Sequence, residues 1–372
     1  MKQNMKVALV HDSLVEYGGA ERVLWALCQV FPQAPIYTAF YCPQNLGQAA
    51  AWLQQKDIRS TYLAKIPGHC CYRSPLRLLA PHAFSRLDLR DFELIISSVN
   101  SYHAKAVRPA PGAVHLCYCH TPARSLYGYD TSSDWRSHQL THFFGSLINH
   151  YLRLVDFNTA QQPTMMITNS KVTAARIKKF YRRESVIIYP PVVLPPVKNP
   201  PLKKPYYLYV NRLTYAKHPE IAVQACLDLA LPLKVVGQGV MLPHLQKIAA
   251  ASSQIEFLGD VSDAQLATLY AGAKALLYPV IDEDLGLVPL EAMSLGTPVI
   301  AHYSGGPKET IVAGKSGLFF KQLSLAGLKQ ALERFGNMSF YPSVVKQQAS
   351  KYTLKNFRQE ILALVKRARS QV

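Results

Sequence analysis

The sequence predicts an α/β fold made of two doubly wound domains. Short continuous apolar runs alternate with stretches long enough for helices, the pattern of a parallel sheet covered on both faces. One proline-rich stretch, residues 189–201, interrupts that rhythm, and the alternation then restarts. At 372 residues the chain is long enough for two separate cores.

Residues 6–10 read as the first buried strand, followed by a loop and a helix from about Gly19. Further strands are expected at 94–96, 114–118, 165–168 and 185–188. The prolines at 190, 191, 195, 196, 200 and 201 lack a backbone donor and fix φ, so this stretch is neither helix interior nor central strand but a stiff linker. Beyond it, strands are expected at 206–210, 233–236, 255–258, 275–278 and 298–301, with a helix from about Pro219. The expected domains are therefore residues 1–188 and 206–352, joined by 189–205. A basic terminal helix, 353–372, has Phe357, Ile361, Leu362, Leu364 and Val365 to offer, and can pack back on the first domain. Ligands of such sheets bind beyond the carboxyl ends of the strands, which makes a central cleft faced by both domains the expected site.

Hydrophobic residues make up 49% of the chain and charged residues 17%, which excludes a disordered protein. No apolar run reaches about 18 residues, so no transmembrane helix is expected. The first apolar stretch meets His11 and Asp12 at once, unlike a signal peptide, and a cytoplasmic location is expected. Seven cysteines, at 28, 42, 70, 71, 117, 119 and 226, are scattered and mostly in apolar context, as reduced buried thiols are. Cys117-Tyr118-Cys119-His120 offers ligand types without the second ligand pair a zinc site needs, so no metal is expected.

Lys plus Arg outnumber Asp plus Glu by 41 to 23, a net charge of +18 that calls for an acidic partner. Residues 56–90 hold seven basic and two acidic side chains, interleaved with Tyr62, Leu63, Ile66, Tyr72, Leu76, Leu78, Leu79 and Phe84. A second cluster, in 171–183, comprises Lys171, Arg176, Lys178, Lys179, Arg182 and Arg183. Cationic and apolar residues together suit an anionic membrane surface, and peripheral association at the inner face of the cytoplasmic membrane is expected. No nucleic-acid module stands out, and nucleic acid is not an expected partner.

The chemistry concentrates in a few motifs. Glu283 lies in an acidic loop after an expected strand, and Glu291 lies one to two turns into the helix that begins near Gly286 or Leu287. The helix start between them, Leu285-Gly286-Leu287, offers backbone N–H groups to an anion. Two carboxylates flanking an anion site suit a ligand with hydroxyls on both sides of a diphosphate. Gly18-Gly19 precedes a helix and permits close backbone approach to phosphate. Arg212 and Lys217 follow a strand end, where a planar fork and a point charge can neutralise a leaving diphosphate. His120 ends a strand, and Asn169-Ser170 reads as a helix cap. Around Val261 and Asp263 two readings stand side by side, a carboxylate for a nucleobase and a capping box of Ser262 with Gln265.

Glu283-x7-Glu291, with the following Ala292-Met293-Ser294-Leu295-Gly296-Thr297-Pro298, resembles the E-x7-E block of the retaining GT-B glycosyltransferases of family 4. Gly18-Gly19, Arg212-x4-Lys217 and Asn169-Ser170 resemble further elements of that family, so the likeness covers nearly the whole chain. Cys119-His120-Thr121-Pro122-Ala123-Arg124 resembles an element of a bacterial polysaccharide branch whose members include mannosyltransferases. The resemblance implies a GT-B fold and a metal-independent retaining hexosyltransferase with no cofactor beyond its nucleotide-sugar co-substrate. It implies that Glu283 meets the donor hexose, Glu291 the ribose, and His120 the region of the reacting carbon. Gly18, Gly19, Arg212, Lys217, Leu285, Gly286 and Leu287 would hold the diphosphate, and Val261 and Asp263 the base. GDP-mannose is the favoured donor and a lipid-linked saccharide the expected acceptor, in surface polysaccharide assembly. The alternatives are a UDP-sugar-dependent transferase, a GT-B-shaped epimerase or phosphorylase, and a basic binding protein on a retired scaffold.

Overall fold

The computed structural model describes residues 5–71, 73–101, 103–129, 139–197 and 205–371. The chain divides into two units, one running through Pro191 and resuming at Leu354, the other spanning Val192–Thr353.

In the first unit the elements run β1 (Val7–His11), α1 (Gly19–Val30), β2 (Ile36–Thr38), β3 (Ile58–Ser60), α2 (Arg73–Leu76), α3 (Ala80–Ser85), β4 (Leu94–Val99), β5 (Val114–Cys119), α4 (Gln139–Ala160), β6 (Met165–Thr168), α5 (Lys171–Tyr181) and β7 (Ser185–Ile187). Seven strands pair in parallel in the order β3-β2-β1-β4-β5-β6-β7. β1, β4 and β5 are buried along their whole length, which is why they read as unbroken apolar runs. β2 and β3, three residues each, escaped the sequence reading, and β3 is partly exposed and carries no apolar run.

The second unit holds β8 (Tyr207–Val210), α6 (Pro219–Asp228), β9 (Leu233–Val236), α7 (Leu242–Ala249), β10 (Ile255–Gly259), α8 (Asp263–Gly272), β11 (Ala275–Tyr278), α9 (Leu287–Ser294), β12 (Val299–His302), α10 (Pro307–Thr310), β13 (Gly317–Phe320), α11 (Leu325–Gly336) and α12 (Pro342–Ala349). Its six parallel strands take the order β10-β9-β8-β11-β12-β13, the doubly wound arrangement with reversal between β8 and β11. The last helix, α13 (Leu354–Arg369), belongs to the first unit. Phe357, Ile361, Leu364 and Val365 are buried in the same core as Leu9, Leu24 and Ile96, and Phe357 lies 6.3 Å from the Tyr118 ring.

Two sequence expectations need correction. Cys42 and Cys70 are not free thiols but are joined in a disulfide, with Cα atoms 6.0 Å apart and a sequence separation of 28. Only the tertiary path of the chain brings that pair together. In the basic cluster 171–183, Arg176 and Arg183 are not surface charges. Arg176 is buried, bonds the Thr121 hydroxyl at 3.2 Å and stacks 4.4 Å from the Tyr129 ring. Arg183 donates to the carbonyls of Ala160, Gln161, Pro163 and Thr164, closing the turn between α4 and β6. Tyr72 lies outside the described residues.

Candidate active site

In the first unit, the carboxyl ends of β1, β4 and β5 carry a linked set of polar side chains. Glu21 sits in the first turn of α1 and reaches back to the Gly18 N–H at 2.8 Å, satisfying a helix-start donor. Its other oxygen is 3.2 Å from Nε2 of His11, the last residue of β1. Nδ1 of His11 is 3.1 Å from the Ser98 hydroxyl, and that hydroxyl is 2.9 Å from Nε2 of His120. A continuous chain therefore runs from the Gly18-Gly19 turn through Glu21, His11 and Ser98 to His120, two sequence-predicted residues linked by three that sequence reasoning missed. Asp12 completes the frame, each oxygen accepting two backbone N–H bonds, from Asn100 and Ser101 and from His103 and Ala104. The available signal for these was a polar His11-Asp12 pair at a strand's carboxyl end and an acid three residues into a helix.

α5 fixes His120 from behind. Ser170 caps the helix by accepting from the Thr173 N–H, while the Asn169 amide and Thr173 hydroxyl bond the His120 carbonyl at 3.0 and 3.3 Å. Burial, with a smaller push from neighbouring His11, holds the His120 imidazole down to about 3. A neutral ring results across the physiological range, able to hydrogen-bond a hydroxyl but not to serve as a standing general acid. Gly18 is backbone-extended, and a Cβ there would make only ordinary contact with Glu21. The fold itself therefore does not demand glycine at 18.

In the second unit Arg212, Lys217 and Glu283 gather at the β8/β11 reversal, whereas Val261 and Asp263 lie two strands away, beyond β10. Arg212 is exposed on the turn after β8. That turn rests on the loop after β9, with the Leu213 N–H donating to the Gln238 carbonyl at 2.8 Å. Gly237 makes the approach possible: its φ is +124°, and a Cβ would overlap the Asn211 backbone. Lys217 closes a short 3-10 turn whose carbonyl accepts the Tyr209 hydroxyl at 2.9 Å. Its ammonium pairs with Glu283, each side chain about 20% exposed. The structure thus joins two residues that the sequence had placed in separate roles.

Glu283 is held by its neighbours. Asp282 adopts φ 54°, an uncommon value for a side-chain-bearing residue, and its N–H donates to the Ser304 hydroxyl at 3.0 Å. The Gly306 N–H donates to the Glu283 carbonyl at 2.8 Å, and Gly305, at φ +61°, leaves no room for a Cβ against the Glu283 backbone. Burial and the adjacent Glu283 carboxylate push the Tyr278 hydroxyl well above its ordinary range. Leu285 is buried, and Gly286, at φ +85°, is the N-cap of α9 and brings no capping side chain of its own. Glu291 is only 5% exposed and accepts the Tyr270 hydroxyl at 3.0 Å, so it is not a solvated surface acid. Val261 lies in the turn after the edge strand β10 and Asp263 opens α8, and the Ser262–Gln265 capping box is present there.

A model of the family described as Glycosyltransferase Family 4 matches residues 17–194, and one described as Glycosyl transferases group 1 matches residues 194–352. Over 125 residues the chain is 35% identical to a GDP-mannose-dependent alpha-mannosyltransferase of Mycolicibacterium smegmatis, covering 33% of this chain and 32% of that one. The chain spans less than half the length of the curated relatives it matches. Sucrose-phosphate synthase from Thermosynechococcus elongatus has a similar fold, with TM-score 0.75 and 17% identity over 99% of this chain and all of that one. Anabaena Alr3699/HepE, solved with UDP and glucose, is similar at TM-score 0.68 and 17% identity, over 98% of this chain and all of that one. With two doubly wound parallel sheets and two family models that together run from residue 17 to residue 352, the chain belongs to the GT-B glycosyltransferases of family 4.

Proposed function

We propose that the chain is a retaining hexosyltransferase that uses mannose from GDP-mannose and passes it to a lipid-linked saccharide. The observation that carries this reading is the Lys217–Glu283 pair beside the start of α9, whose N-cap is the glycine Gly286, with Glu291 buried one turn further on. A cation and helix N–H groups suit a departing diphosphate, while the two carboxylates suit the hydroxyls of hexose and ribose. Arg212 adds a second cation, and the cations take the part a metal plays elsewhere. In the first unit, the Gly18-Gly19 turn gives phosphate a close approach to the backbone, with the Gly18 N–H itself held by Glu21, and neutral His120 offers a hydrogen bond to a sugar hydroxyl. Val261 and Asp263 are the candidates for the base, beside their capping role.

The mannosyltransferase relative supports mannose as the sugar. A UDP-hexose is the second reading, supported by the fold neighbour solved with UDP-glucose. Incubation with GDP-mannose and UDP-glucose, each with a polyprenyl-diphosphate saccharide, separates them, and NMR of the product's anomeric proton reports retention. Transfer from neither donor by folded protein would overturn the reading.

The acceptor proposal includes a membrane surface. No helix among the described residues is long and apolar enough to cross a membrane. However, α4 exposes Leu147, Ile148, Tyr151 and Leu154, which share one helical face, with Tyr151 61% exposed. Ile66, Leu78 and Leu79 are likewise exposed in the basic stretch 56–90. Such cationic and apolar exposure suits an anionic bilayer interface at the cytoplasmic face.

A further inference from the structure

We infer that Cys42, His69 and Cys70 form a zinc site when the disulfide between the two cysteines is reduced. One ligand atom from each lies within 4.8 Å of the other two. His69 is oriented for the task. Its Nδ1 lies 3.1 Å from the Ile66 carbonyl, which selects the tautomer with a lone pair on Nε2. Nε2 is buried and has no hydrogen-bond partner among the described residues. A buried, basic, unsatisfied nitrogen is a cost unless something fills its lone pair, and a metal does so. The ring stacks on Phe40 at 6.2 Å, an orientation that does not depend on the sulfur chemistry.

The sulfurs complete the set. Cys42 is fully buried at the end of the loop after β2, and its N–H donates to the Leu14 carbonyl at 2.9 Å. That contact ties the site to the loop leading to Gly18. Zinc–sulfur bonds of about 2.3 Å at tetrahedral angles put two thiolates about 3.8 Å apart. A Cα separation of 6.0 Å accommodates such a pair without rebuilding the backbone. Three protein ligands leave a fourth position for water or for the adjacent, exposed Cys71. In the exchange, a dithiol gives two electrons and two protons to the Cys42–Cys70 bond and leaves as its own disulfide. Zinc then binds both sulfurs and releases those two protons to solvent.

The full chain, reduced with a dithiol and freed of it without air, is titrated with cobalt(II) and then zinc(II). The expected result is one equivalent of cobalt with the visible bands of tetrahedral thiolate ligation, displaced by zinc and absent from the oxidised chain. Cys42→Ser and His69→Ala should each weaken binding more than about 100-fold, beyond the cost of losing an outer-shell partner. His69→Ala keeps the disulfide, so its fold can be checked by circular dichroism in the oxidised state. Cys71→Ser reports whether the fourth ligand is sulfur, through loss of one thiolate's share of the charge-transfer intensity. No thiolate band in the reduced wild type, or an unchanged band in His69→Ala or Cys42→Ser, would overturn the inference.

Discussion

Glu283 is a half-buried carboxylate whose charge is matched by Lys217, and each partner prepares the other. Substituting Glu283→Gln keeps the shape and removes the charge; kcat should fall about 100-fold, the scale of losing one preorganised polar group. Lys217→Met should instead weaken nucleoside-diphosphate binding about 10- to 100-fold, the loss of one charged hydrogen bond. Because the two side chains touch, the double variant should lose less than the product of the single effects, and a double-mutant cycle on kcat/KM measures that coupling. Additivity would mean the pair acts as two independent groups. The Glu-x7-Glu spacing was readable in the sequence as a pair of acids around a helix start. The Lys217 contact was not, since the partners lie 66 positions apart in sequence and only strand order brings β8 beside β11.

At the level of elements, two turns position the candidate groups for different reasons. Gly305 is glycine because of the protein itself: its φ is positive and a side chain would overlap Glu283. Gly305→Ala should therefore cost about 1–3 kcal/mol of stability, read from denaturant unfolding, and lower activity with it. Gly18 is the opposite case, since its backbone is extended and the space beside it is ordinary. Gly18→Ala should unfold like the wild type yet bind donor about tenfold more weakly, or about 1.4 kcal/mol, in isothermal titration. Equal donor affinity would remove the glycine turn from the site. The sequence could mark both glycines but not tell them apart, because the difference lies in what stands opposite each one.

Across the whole molecule, buried neutral histidines set the acid limit. Burial holds His103 at about 4 and His115 and His120 at about 3, below the ordinary value of 6.5. As pH falls below about 6.5 the unfolded chain takes up these protons and the folded chain does not, so stability is present above that pH and drains away toward pH 3–4. Three protons should be taken up on unfolding near pH 5 from these residues, and His115→Asn should remove about one of them, seen as a shallower slope of stability against pH. The terminal helix is the other molecule-wide dependence. Phe357→Ala should cost about 3–5 kcal/mol in the first unit, since that ring fills a core most of whose members come from residues 7–188. An unchanged unfolding midpoint would show that α13 is dispensable.

The sequence by itself determined the class of fold, the break between two α/β halves and the motifs that carry charge and glycine to strand ends. It could do so because buried parallel strands and helix starts leave local signatures within a few residues. Tertiary structure alone decided the Cys42–Cys70 disulfide, the inward turn of Arg176, the Lys217–Glu283 pair and the line from Glu21 through His11 and Ser98 to His120. Most of these depend on groups that meet because parallel strands place distant loops at one end of a sheet. That adjacency is set by strand order, which no local pattern records.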